Sequence, residues 1–106
     1  MDSVPNATTI VQHWTNTVGD PQLNGFNGKR YKWFIDGDVS MAEPAGNEGD
    51  HFSLLLVQGP TGGKAIDWGQ WVDWLGGKPT LGVNPGDKLE IRFAVIGNVL
   101  TEIGRK

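Results

Sequence analysis

The chain has 106 residues, enough to enclose one hydrophobic core and too few for two, and 38% of them are apolar against 20% charged, which excludes a disordered tail. The absence of cysteine removes a disulfide framework, a thiolate nucleophile and Cys-ligated zinc. A net charge of −3 gives no electrostatic reason to bind a phosphate backbone, so nucleic acid is not expected as a partner.

Sixteen glycines and six prolines, scattered without a period between short apolar runs, are the punctuation of many turns. They predict a mainly β, single-domain fold: an antiparallel β-sandwich or small barrel of about six to seven strands, with room for one short helix near 67–75. No stretch approaches the roughly 20 apolar residues of a membrane span. The first ten residues carry neither a basic start nor an apolar run, which points to a cytoplasmic protein or one exported without a classical signal peptide. The sequon at Asn6-Ala7-Thr8 then reads as chance.

In chain order, Thr8 to Val18 is rich in β-branched residues and alternates, with Ile10, Trp14 and Val18 on one face, as a strand does. Gly19-Asp20-Pro21 and Asn24 to Gly28 form a loop. Arg30 to Ile35 is a half-buried strand, Tyr31, Trp33 and Ile35 alternating with Arg30, Lys32 and Phe34. The basic residues of Lys29-Arg30-Tyr31-Lys32-Trp33 are its wet side. Asp36 to Asp50 reads as loop, and His51 to Gln58, a continuous apolar run, as the most buried strand. Gly59 to Gly63 is a turn.

Ala65 to Leu75 supports two readings. Asp67 with Gln70 forms a capping box, Gly76 supplies a stop, and Trp68, Trp71, Val72 and Leu75 then share a helix face. Alternatively Gly69-Gln70 is a tight hairpin turn that pairs Trp68 with Trp71. The agreement of capping, stop and spacing favours the helix. Asn84-Pro85-Gly86-Asp87 is a type II turn, and Lys88 to Ile96 a strand with Leu89, Ile91, Phe93 and Val95 inward. Gly97-Asn98 makes a tight hairpin into Val99 to Ile103, and Gly104-Arg105-Lys106 is a solvated end.

Catalytic residues are not evident. His13 and His51 sit in predicted strands without ligand spacing, and Ser3, Ser40 and Ser53 lack a nucleophile elbow. The acidic loop offers Asp36, Asp38, Glu43, Glu48 and Asp50 as calcium ligands, although their spacing matches no EF-hand. The same carboxylates are what a small glycoside-acting enzyme would use.

Folding alone accounts least for five tryptophans, three of them between Trp68 and Trp74. An indole face stacks on the C–H face of a sugar while Asp, Gln and Asn meet its hydroxyls. The expectation is a lectin-like module that binds carbohydrate or another neutral polar ligand, with Trp68, Trp71 and Trp74 stacking and Asp67, Gln70 and Asp73 bonding. Two readings compete with it. The tryptophans fill the core, or they form a protein–protein interface of a homo-oligomeric assembly subunit.

Overall fold

A computed structural model of the chain describes residues 9–14 and 26–105. Eight strands occur among them: β1 (Thr9–Trp14), β2 (Lys29–Ile35), β3 (Val39–Ser40), β4 (His51–Gln58), β5 (Ile66–Asp67), β6 (Val72–Asp73), β7 (Lys88–Ile96) and β8 (Val99–Arg105). Six form one sheet in the order β1-β2-β4-β7-β8-β6, and β3 pairs with β5 in a second. The fold is mainly β, a sandwich-like arrangement in one compact unit. Of the expected strand from Thr8 to Val18, Thr9–Trp14 forms β1; its remaining residues, the Gly19-Asp20-Pro21 stretch and the sequon lie outside the described residues.

Strict alternation builds the core. Tyr31, Trp33 and Ile35 of β2, Phe52, Leu54 and Leu56 of β4, and Leu89, Ile91, Phe93 and Val95 of β7 all point to one face and are buried. Each such side chain contributes about 1.5–3 kcal/mol on leaving water. The layer that covers them comes from the two long connections, residues 36–50 and 59–87, which bring Val39, Met41, Trp68 and Leu81 into the same cluster. Gln58, buried at the end of β4, stitches the second connection down: its amide donates to Lys64 O and Gly82 O at 2.9 and 2.8 Å and accepts from Lys64 N–H.

Three expectations are corrected. The main sheet is not antiparallel throughout, because β1 runs parallel to β2, β2 to β4 and β6 to β8. Period-two alternation says which face is buried and nothing about the direction of the neighbour; the 36–50 connection is long enough to carry the chain back over the sheet, as a parallel pair requires. Second, the chain near 67–75 is not helical. The Asp67 side chain, read as a helix cap, accepts the Gly69 N–H at 2.9 Å in an Asx turn, and Gly69 has φ of +65°, which no helix accommodates. The turn at Gly69-Gln70 exists, yet its flanks part: β5 joins β3 and β6 joins β8, so Trp68 and Trp71 are not a cross-strand pair. Third, Gly104 and Arg105 continue β8 past a register shift opposite Arg92 and Phe93.

Candidate functional site

An open cleft of about 230 Å³ lies where three segments meet. The 36–50 connection supplies Glu43, Pro44 and Gly46, the β5–β6 turn supplies Gln70 and Trp71, and the β7–β8 hairpin supplies Val95, Asn98, Val99 and Leu100. Phe26, in contact range of Gly46, forms part of the floor.

Trp71 is the aromatic wall. It is 37% exposed, and its indole N–H donates to the Met41 carbonyl at 3.0 Å. The ring also leans over Gly69, where a Cβ would come within 2.9 Å of its Nε1, so only glycine leaves space for this rotamer. With one edge tethered, what the ring offers a ligand is its face. Three polar side chains share the cleft: the Gln70 and Asn98 amides and the Glu43 carboxylate. Among the described residues none of these three side chains has a hydrogen-bond or ion-pair partner.

The hairpin rim is held by backbone chemistry. Gly97 and Asn98 adopt φ of 62° and 63°, the left-handed geometry of a type I′ turn, which Asn tolerates better than most residues. Both turn amides donate to one carboxylate: Gly97 N–H to Glu48 Oε2 at 3.0 Å and Asn98 N–H to Glu48 Oε1 at 2.9 Å. Gly49 and Asp50 add backbone bonds to Val95. Glu48 therefore fixes the hairpin tip, and with it Asn98, against the loop that carries Glu43.

The residues expected to bind divide sharply. Gln70 and Trp71 line the cleft. Trp68 is 2% exposed and packs edge-on to Trp74 at 5.1 Å, while Trp74 in turn meets Phe93 at 5.9 Å. Trp68 is thus a core residue with no open face, and Trp74 is half-buried against that core. Asp67 and Asp73 are exposed but outside the cleft, Asp67 being occupied by its Asx turn. Glu43, Asn98, Pro44 and Val99 were not anticipated as partners of Trp71. The turn signal at Gly97-Asn98 was readable, but nothing in it says which loop the tip touches.

The acidic loop does not converge. Asp36 Oδ2 bonds His13 Nδ1 at 3.0 Å, Asp38 accepts from Ala65 N–H, Glu48 holds the hairpin, Asp50 accepts from Asn47 N–H and Glu43 faces the cleft. Among the described residues no three His, Asp or Glu side chains come together as a metal-binding group. Four of the five carboxylates are spent on ordering loops. No helix among the described residues is long and apolar enough to cross a membrane.

An ion pair between a buried carboxylate and a part-exposed arginine stands outside the cleft. Glu102 is fully enclosed; Arg105 Nε and Nη2 donate to its Oε2 and Oε1, both at 2.6 Å, and Leu75 N–H donates to Oε1 at 3.0 Å. The same guanidinium reaches Gly77 O at 2.7 Å. The Arg105 fork, helped by the Leu75 amide, holds the Glu102 carboxyl below the usual carboxylate range against the opposing effect of burial. This pair pins the strand-to-loop segment after β6 onto β8.

Comparison with known proteins yields no matching family model and no matching curated protein.

Proposed function

We propose that the protein is a carbohydrate-binding, lectin-like module whose ligand lies in the cleft against Trp71. The observation that carries this reading is one tethered, partly exposed indole lining a cleft beside three polar side chains that have no partner among the described residues. A sugar ring matches that chemistry: its C–H face takes the indole and its hydroxyls take Gln70, Asn98 and Glu43. A pyranose of ordinary size is well within 230 Å³.

A glycan array run with and without chelator tests sugar binding and metal dependence together. Tryptophan fluorescence follows the hits. Trp71→Ala is expected to abolish the ligand-induced change, whereas Trp68→Phe retains it; a response that survives Trp71→Ala defeats the assignment. The rival reading, an assembly subunit, draws on Ile96 and Val99, both exposed at the hairpin tip beside the cleft. That reading predicts an oligomer whose population rises with concentration and dissociates on Val99→Lys, with no glycan hit.

A further inference from the structure

The ionic character of the cleft narrows the ligand class. Among the described residues that line it Glu43 is the one ionisable group, and none of them is a lysine or arginine. The carboxylate is exposed and has no partner among the described residues. An anion entering this cleft would meet the Glu43 carboxylate and the negative face of an indole, with no guanidinium or ammonium among the described lining residues to receive it. A cation would meet the reverse: a carboxylate for its charge and the Trp71 ring for a cation–π contact.

We infer that the cleft selects glycans carrying a protonated amine, with Glu43 and Trp71 together receiving the ammonium group, and that it rejects uronic acid chains. This rests on the carbohydrate reading and adds a charge preference to it. Glu43 is then the residue that determines specificity, and Gln70 and Asn98 bind whatever the charge of the sugar.

The test compares three oligosaccharides of equal length at low ionic strength and pH 6: a β-1,4-linked glucosamine tetramer, its fully N-acetylated neutral counterpart and a tetra-uronate. The amine chain is expected to bind about fivefold more tightly than the neutral one, and the uronate not measurably. Glu43→Gln is expected to bring amine and neutral chains to the same affinity. Asp73→Asn removes an exposed carboxylate outside the cleft and should retain the preference. Equal affinities for amine and neutral chains in the wild type overturn the charge inference and leave the carbohydrate reading standing. Loss of the preference in Asp73→Asn as large as that in Glu43→Gln overturns it too, since general acidity would then be its source. Binding by none of the three overturns both.

Discussion

The β7–β8 hairpin is fastened by a carboxylate at each end, and the two fastenings differ in how much water they see. At the closed end Glu48 is exposed and receives the Gly97 and Asn98 amides. At the open end Glu102 is enclosed and meets Arg105 and the Leu75 amide. An exposed carboxylate exchanges water for protein donors at nearly even free energy, so Glu48 mainly sets position. A buried one has no water to return to, so Glu102 makes its surroundings depend on every partner staying in place. One end of the hairpin shapes the cleft and the other holds the fold.

Breaking the buried end should produce the largest effect. Arg105→Ala leaves a carboxylate buried with one amide donor, and the largest loss of stability among these variants is expected in urea unfolding. Glu102→Leu should cost clearly less, because no buried charge remains and the Arg105 side chain, 31% exposed, can turn to solvent. Equal costs would mean that the Glu102 carboxylate is not desolvated.

The pH dependence follows from the same pair. The folded-state pKa of Glu102 is depressed, so its contribution is fully present above the ordinary carboxylate value of 4.5 and is lost as pH falls through the lower folded value. The wild type should therefore lose stability below about pH 4.5 more steeply than Glu102→Leu. The deficit of Arg105→Ala should shrink over the same window, since protonation neutralises the stranded group.

Two indoles give a smaller and sharper contrast. Trp33 Nε1 donates to Gln12 Oε1 at 2.9 Å, whereas the buried Trp68 Nε1 has no acceptor among the described residues. Trp33→Phe strands an acceptor, while Trp68→Phe removes an unsatisfied donor along with ring volume. Thermal unfolding should rank Trp33→Phe as the costlier by about 1 kcal/mol. The smallest stability change belongs to Glu48→Ala. Its melting temperature should move little, yet the Gly97 and Asn98 amide resonances should shift and any ligand seated against Asn98 should bind severalfold more weakly.

Much of the sheet was legible before any coordinates. The limits of β4 and β7, the inward set Leu89, Ile91, Phe93 and Val95, and the tight hairpin at Gly97-Asn98 follow from alternation and turn chemistry within a few residues. The Trp68–Trp74 segment was not, because its cues are degenerate. An Asp three residues before a Gln suits a helix cap, and an Asp two before a Gly suits an Asx turn; Asp67 satisfies both patterns and the core decides between them. Of the six residues expected to bind, Trp71 and Gln70 reach the cleft, and the strands to either side of their turn explain why: β5 is drawn to β3 and β6 to β8, which turns Trp68 inward and leaves Trp71 out.

What the sequence determined by itself was local: which residues alternate, where the chain must turn and which faces are apolar. These depend on neighbours two to four positions away, which any reader of the chain can see. The parallel pairings, the burial of Trp68 and the meeting of Glu43, Trp71 and Asn98 were decided only in three dimensions. The pairings and the cleft bring together residues from about twenty to more than fifty positions apart, and no local propensity encodes which distant backbone groups will satisfy one another once a shared core has been closed.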